Sequence, residues 1–215
     1  VAKHFRPLKI LDIRNETAEC VSISFRIPDE WKDEFTFQAG QNITLRSAVG
    51  GEDLRRSYSI CSSPRENELR VAIKKQEGGK FSSHAHEHFK PAMELDVLAP
   101  TGNFVLNLHP EHQKHYIAFA AGSGITPVIS LLKTILNDEP LSRFTLVYGN
   151  KNRSSVIFRE ELLDLKNDYP ERFQLIFIFS REKMDAPVFE GRIDASKCEL
   201  IFTHIIPPAP DQEYL

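Results

Sequence analysis

Residues 115–138 read HYIAFAAGSGITPVISLLKTILND, and this stretch narrows the possible folds more than any other part of the chain. "HYIAFAA" is a nearly unbroken apolar run, as expected of a strand covered on both faces, and such strands belong to parallel sheets. A glycine turn follows, after which Val128, Leu131, Leu132 and Ile135 recur at helical spacing. "RFTLVYG", "FREELLDLKNDYP" and "FQLIFIFS" then repeat the alternation, with Pro170 stopping the second helix. Strand, helix, strand, helix, strand is the pattern of a parallel α/β sheet.

The chain before this region has a different texture. "CVSISFRI" alternates, and "NITLRS", "LRVAIKK" and "MELDVLAP" follow as short β-like runs between Gly and Pro signals. Many short strands punctuated in this way predict a small antiparallel barrel or sandwich. One helical candidate, "KFSSHAHEHFK", follows Gly78–Gly79. Two domains are therefore expected, a β-barrel over 1–107 and an α/β domain over 112–215, with the polar segment "NLHPEHQKH" between them. The terminal "LIFTHIIPPAPDQEYL" reads as a further β-like run, a Pro-rich loop and the entry to another strand. A parallel sheet of three or four strands is small, so the expectation is an α/β domain truncated at its C-terminus.

Composition excludes several classes. A hydrophobic content of 41% supports real cores in 215 residues, and a net charge of −3 argues against a general nucleic-acid binder. No apolar run reaches the roughly 20 residues needed to span a bilayer. "VAKHFRPLKI" lacks the apolar centre of a signal peptide, and the chain does not begin with Met. Cys20, Cys61 and Cys198 form no CxxC pair, which fits a reducing cytoplasm and gives neither a disulfide framework nor a cysteine-built metal site.

Two glycine turns open helices. In "AAGSGITP", Gly122 and Gly124 permit a tight turn and close approach of the backbone, and Thr126 and Pro127 begin a helix whose first amides can face a phosphate. "EGGKFSS" is a second such turn, where Ser82 can cap the helix or offer a hydroxyl to an anion and Lys80 adds charge. The competing readings are a plain tight turn and a simple N-cap. A third feature is "LRRSYSICSSP", residues 54–64. In an extended segment Arg56, Tyr58 and Ile60 share one face, and Ser57, Ser59 and Cys61 the other. A guanidinium suits a pyrophosphate and an aromatic two residues on suits a flat ring; the alternative is an exposed edge strand that tolerates both.

Taken together, these motifs resemble the ferredoxin–NADP reductase superfamily. Arg56-Ser57-Tyr58-Ser59 matches its R-x-Y-S flavin motif, and Ala72-Ile73-Lys74 falls where that family has a second flavin-contacting strand. Gly79-Lys80-Phe81-Ser82 matches its G-x-x-S turn, and Pro100-Thr101-Gly102-Asn103-Phe104 the P-x-G-x-F loop that ends the flavin domain. Gly122, Ser123, Gly124, Ile125, Thr126 and Pro127 match its nicotinamide-nucleotide turn, and Tyr148-Gly149-Asn150 the end of the next strand. "GEDLRRSYSICSSP" and "LVYGNKNRSSVIFREELLDLK" look closest to reductase subunits of multicomponent oxygenases in phenylacetate and other aromatic degradation.

The resemblance implies an NAD(P)H-dependent flavoprotein oxidoreductase with an antiparallel Greek-key β-barrel that binds FAD, then the α/β domain that binds NADPH or NADH. Arg56 would hold the FAD pyrophosphate, Tyr58 would lie against the isoalloxazine and Ser59 near its N5, the last two forming the catalytic pair. Residues 79–82 would cover the FAD phosphates, and residues 122–127 would hold the nicotinamide dinucleotide's pyrophosphate. Ser180 and Arg181 fall where family members often bind a 2′-phosphate, which favours NADPH. Electrons would pass to an iron–sulfur domain or ferredoxin and then to an oxygenase component. The chain departs from the family in ending before its C-G-P motif and in lacking a C-x4-C-x2-C motif, so a [2Fe–2S] cluster is expected only in a longer parent protein. The alternatives are a free-standing ferredoxin or flavin reductase, and a flavin-binding fragment without turnover.

Other features receive bland readings. His84 and His88 share a helix face without a third ligand, so no metal site is expected. Glu160, Glu161 and Asp164 read as an acidic helix surface, and Trp31 as barrel or loop packing.

Overall fold

The computed structural model describes residues 4–215. They form two compact units. One takes the chain up to Asn107 together with Thr126–Thr134, and the other takes the remainder.

The first unit is a six-stranded antiparallel sheet. Its strands are β1 (Phe5–Thr17), β2 (Cys20–Arg26), β3 (Asn42–Val49), β4 (Glu52–Ser59), β5 (Leu69–Lys74) and β6 (Glu94–Thr101), in the order β4-β3-β6-β1-β2-β5. An antiparallel bridge between Ile60 and Val71, with Cys61 N–H donating to Arg70 O at 2.9 Å, joins the two ends into a barrel. Helix α1 (Lys80–His88) supplies Phe81 and Ala85 to a core that also holds Ile23, Ile43, Leu45, Val71 and Val97. Arg70 is buried in the barrel wall, and burial of a charge demands partners. Arg70 donates to Asp12 at 2.7 Å, to Glu68 at 2.8 Å and to Ser22 Oγ at 2.9 Å. Trp31 packs against the same core with the Arg6 guanidinium 5.3 Å from its ring centroid.

Residues 126–134 cluster with this unit through a polar seam. Ser130 Oγ donates to Ser62 O at 2.6 Å, the Ser63 and Thr134 hydroxyls lie 3.1 Å apart, and Lys133 Nζ lies 3.0 Å from the Glu66 carboxylate. The hydroxyl cluster after the R-x-Y-S strand is thus a structural fastening.

The second unit holds a parallel sheet of β7 (His115–Ala121), β8 (Arg143–Asn150), β9 (Phe173–Phe179) and β10 (Gln212–Tyr214), in the order β10-β7-β8-β9. Helices α2 (Ile125–Asp138), α3 (Arg159–Asp168) and α4 (Ala195–His204) connect the strands. The antiparallel barrel and the parallel α/β sheet are the fold class expected from the two textures.

Two details differ from the sequence reading. The β-like run "LIFTHII" is helix α4, entered through Asp194, whose carboxylate accepts from Lys197 N–H at 2.8 Å. Its Ile201 and the capping Ile205 are four apart, and Ile201 is fully buried; a short apolar run does not by itself separate helix from strand. Helix α2 begins at Ile125, after a 3-10 turn at Gly122–Gly124, so Thr126 and Pro127 lie inside its first turn. Among the described residues no helix is long and apolar enough to cross a membrane.

Candidate functional site

In the first unit the R-x-Y-S segment ends strand β4. Arg56 and Ser57 are exposed, Tyr58 and Ser59 half-buried, and Ile60 turns inward. The Arg56 guanidinium donates to Arg55 O at 2.7 Å and faces no carboxylate among the described residues, so it is available to an anion. Ser57 is engaged with Thr44 on the neighbouring strand, their hydroxyls 2.9 Å apart. The Tyr58 ring leans on Phe81 of α1, centroids 6.0 Å apart and planes 37° apart. Burial pushes the Tyr58 phenol up to about 12 against the opposing Arg56 charge, so it keeps its proton through the neutral range. The Ser59 hydroxyl makes no hydrogen bond among the described residues.

The other predicted flavin contacts divide unevenly. Ala72 and Ile73 on β5 are buried at 5% and 0% exposure, so Lys74 is the one of the three whose side chain reaches the surface. The Ile73 carbonyl meets His86 Nε2 at 2.9 Å, which gives that histidine a structural place. His84 and His88 stack their rings 4.5 Å apart, as four-residue spacing on one helix face dictates. Helix α1 starts at Gly79 without a side-chain cap, leaving first-turn amides open to an acceptor. Ser82 does not supply that cap. Its hydroxyl accepts from Gln76 N–H at 3.1 Å and donates to Gly79 O at 3.2 Å, fixing the turn itself. Lys80 pairs with Glu52 of β4. An unneutralised Arg56, a leaning aromatic and an uncapped helix start in one unit fit a dinucleotide with a flat ring.

In the second unit Gly122 adopts φ +52°, a left-handed conformation that favours glycine, and Ile125 N–H returns to its carbonyl. Tyr148, fully buried on β8, donates its hydroxyl to the same carbonyl at 2.8 Å. Gly124, the N-cap of α2, provides no side-chain cap, so the positive end of a 14-residue helix is open to an anion.

A cleft of about 330 Å³ lies at the C-terminal ends of β8 and β9, lined in part by Gly149, Asn150, Ser180, Arg181, Arg192 and Ile193. Ligands of open α/β sheets bind on this side. Ser180 N–H donates to Asn150 O at 2.9 Å and Arg181 N–H to Lys151 O at 2.8 Å, which extends the β8–β9 ladder and holds both residues at the rim. A bridge between Phe179 and Glu190, with Gly191 N–H on Phe179 O at 2.9 Å, brings Arg192 to the same rim. Arg181 and Arg192 have no carboxylate partner among the described residues, so two guanidinia at the rim are open to an anion. Gly149 is fitted to Ile193 opposite, since an added Cβ would stand 3.0 Å from Ile193 Cδ1.

Two further residues shape the candidate site in ways the sequence does not show. Tyr148 belongs to a recognisable motif, but its hold on Gly122 follows from strand pairing. Arg192 has one faint signal, a Gly-Arg pair after a loop, and nothing local places it at the ends of β8 and β9.

This arrangement defines a class: a flavin domain and a nicotinamide-nucleotide domain in one oxidoreductase. Residues 7–106 match the oxidoreductase FAD-binding domain and residues 119–213 the oxidoreductase NAD-binding domain, and the chain belongs to this ferredoxin–NADP reductase family. It is 43% identical over 202 residues to a subunit of the 1,2-phenylacetyl-CoA epoxidase of Escherichia coli (strain K12), covering 94% of this chain and 57% of that protein. It is 37% identical to the ferredoxin reductase component of 3-ketosteroid-9-alpha-monooxygenase from Rhodococcus rhodochrous, covering 79% of this chain and 48% of that one. The chain therefore spans about half the length of these relatives. In structure it superposes on the flavohem-like FAD/NAD binding domain of nitric oxide dioxygenase from Vibrio cholerae O1 biovar El Tor. That match has a TM-score of 0.80 and 22% identity over 98% of this chain and 86% of the other, and it speaks for the fold alone.

Proposed function

We propose that this chain is the electron-input part of an oxygenase reductase, taking hydride from NADPH onto FAD and delivering electrons to an iron–sulfur centre and an oxygenase component in phenylacetate or related aromatic degradation. The names of the relatives support the oxygenase link. The observation that carries the choice of NADPH is the cleft at the ends of β8 and β9, where Ser180, Arg181 and Arg192 offer a hydroxyl and two unneutralised guanidinia. Bound FAD supplies the change from two-electron to one-electron transfer. The chain's residues do the positioning. Arg56 and the uncapped start of α1 hold phosphates, Tyr58 presents a protonated ring face, and Ser59 offers a hydroxyl to the flavin edge. The Gly122–Gly124 turn, fixed by Tyr148, receives the pyrophosphate of the nicotinamide dinucleotide.

The test is anaerobic. The chain is reconstituted with FAD, mixed with NADPH or NADH, and followed by loss of the visible flavin absorption. NADPH is expected to bleach it at the lower concentration, and Arg181→Ala to reduce that preference by roughly 10- to 100-fold, the scale of one charge-assisted hydrogen bond. No flavin absorption after reconstitution refutes the flavoprotein reading; an equal response to both nucleotides refutes the phosphate reading of Arg181.

A further inference from the structure

Strand β1 carries an extra residue where it runs beside β2. Ile10 pairs with Phe25 and Asp12 with Ser24, so Leu11 has no partner on β2, and a bulge of this kind re-aims a side chain. Leu11 is 50% exposed, a large apolar group held half in water. It stands at a cavity of about 560 Å³ whose other apolar residues include Phe25, Ile27, Phe35, Phe37 and Leu69. That volume is in the range of small-molecule sites. The cavity lies within the first unit and apart from the candidate phosphate turn. Strand β5 runs from Leu69, at the cavity, to Lys74, and the open first turn of α1 follows at Gly79. At roughly 3.3 Å per residue, β5 alone puts about 17 Å between its two ends.

Three charged residues line the same cavity, and two of them are paired. Lys32 Nζ lies 2.6 Å from the Asp29 carboxylate, and the Glu68 carboxylate lies 2.8 Å from the Arg70 guanidinium. Arg26, exposed at the last position of β2, has no ion pair and no side-chain hydrogen bond among the described residues. An apolar bowl with one unmatched guanidinium at its mouth is complementary to a molecule with an apolar body and a single negative charge. Glu68 in the same wall disfavours a doubly charged headgroup such as a phosphate monoester. We propose that this cavity binds a free monocarboxylic acid with an alkyl or aryl body, the body against Leu11, Phe35 and Phe37 and the carboxylate on the Arg26 fork. The site is additional to the flavin and nucleotide sites and uses none of their residues.

The experiment titrates octanoate, 4-phenylbutyrate and the uncharged 4-phenylbutyramide into the chain with FAD in excess, and follows amide shifts by 1H–15N NMR. Residues 11, 25–27, 36–37 and 67–69 are expected to shift together and saturate with both acids. The amide should bind at least ~10-fold more weakly than its acid, the scale of one charge-assisted pair. Arg26→Ala should bring the acid to the level of the amide, and Arg26→Lys, which keeps the charge, should restore part of the difference. Leu11→Ser should weaken acid and amide alike by about 3- to 10-fold, the scale of covering part of one leucine. Equal binding of acid and amide by wild type, or an acid preference that survives Arg26→Ala, overturns the role of Arg26 and the carboxylate with it. Saturable shifts confined to residues 56–59 and 79–82, or no saturable shifts at all, overturn the site.

Discussion

Glu139 follows directly on α2 and is completely buried, and it offers the sharpest test of how the second unit is held. Its carboxylate accepts four hydrogen bonds. His109 N–H and His112 Nδ1 meet Oε1 at 3.0 and 2.7 Å, and the Tyr116 and Ser142 hydroxyls meet Oε2 at 3.0 and 2.8 Å. The same residue's carbonyl accepts from Arg172 at 2.9 Å. One side chain thus ties the segment entering β7 to the end of α2.

Replacement by Gln keeps the shape and removes the charge. The new amide NH2 can face the Tyr116 and Ser142 hydroxyls, which rotate to accept, while the remaining oxygen keeps the His109 and His112 contacts. The Ser142 hydroxyl can still donate to His112 O at 3.0 Å, but the buried Tyr116 hydroxyl loses its acceptor, and the four charge-assisted bonds become neutral or are lost. At roughly 0.5–1 kcal/mol each, Glu139→Gln should cost about 2–4 kcal/mol. Glu139→Ala leaves the four partners facing a cavity and should cost more.

The pH dependence has a defined sign. Burial pushes the Glu139 carboxyl up, and hydrogen bonds from His109 N–H, Ser142, His112 and Tyr116 outweigh it and hold it below its ordinary 4.5. The folded state therefore takes up this proton less readily than the unfolded one. The stabilisation is fully present above about pH 4.5 and declines as pH falls through the folded value. Urea unfolding of wild type and Glu139→Gln from pH 7 to pH 3.5, with hydrogen exchange of amides 109–117, measures both effects. The gap between the two proteins should be widest at neutral pH and begin to close below about pH 4.5. A gap under about 0.5 kcal/mol at pH 7, or one that widens on acidification, would falsify the account.

Arg56→Ala should weaken FAD binding by about 10- to 100-fold while changing stability by less than about 0.5 kcal/mol, since the exposed guanidinium has one backbone contact to lose. Titration of the apoprotein by flavin fluorescence decides it; unchanged affinity removes Arg56 from the site. Tyr148→Phe should loosen the Gly122 turn and raise the Kd for AMP by about 2- to 10-fold, the scale of one neutral hydrogen bond, with FAD binding unaltered. A variant indistinguishable in AMP binding would make that bond structurally idle.

Much of the architecture is legible in the sequence because local pattern and tertiary role coincide. "HYIAFAAGSGITPVISLLKTILND" contains its strand, turn and helix with no help from distant residues, and its anion site uses backbone amides that any such turn exposes. Strand β1 is not recognisable in this way. Its register shifts between Ile10 and Asp12 and between Asn15 and Thr17 break the alternation that a period-two reading needs. Helix α4 reads falsely as a strand because Ile, Phe and Thr dominate "LIFTHII" and the Asp194 cap lies outside the run. In the candidate site, Ser82 shows the limit from the other direction. Its motif position is plain, but its hydroxyl is consumed by Gln76 and Gly79 of the same turn.

What escapes the sequence is the chemistry that selects a ligand, because selection depends on what a group fails to contact. Arg56 is informative because no carboxylate faces it among the described residues, whereas Arg70, equally basic in sequence, is spent on Asp12 and Glu68 in the barrel wall. The same comparison applies within "RRSYSICSS". Ile60 and Cys61 are barrel interior, Ser62 and Ser63 fasten α2, and Ser57 bonds to Thr44. Arg55 is paired with Asp53 as well, and subtracting these committed side chains leaves Arg56, Tyr58 and Ser59 with capacity directed outward. A hydrogen bond or charge already satisfied inside the protein has little left to offer a cofactor, so the residues that remain after subtraction are the ones on which affinity should depend.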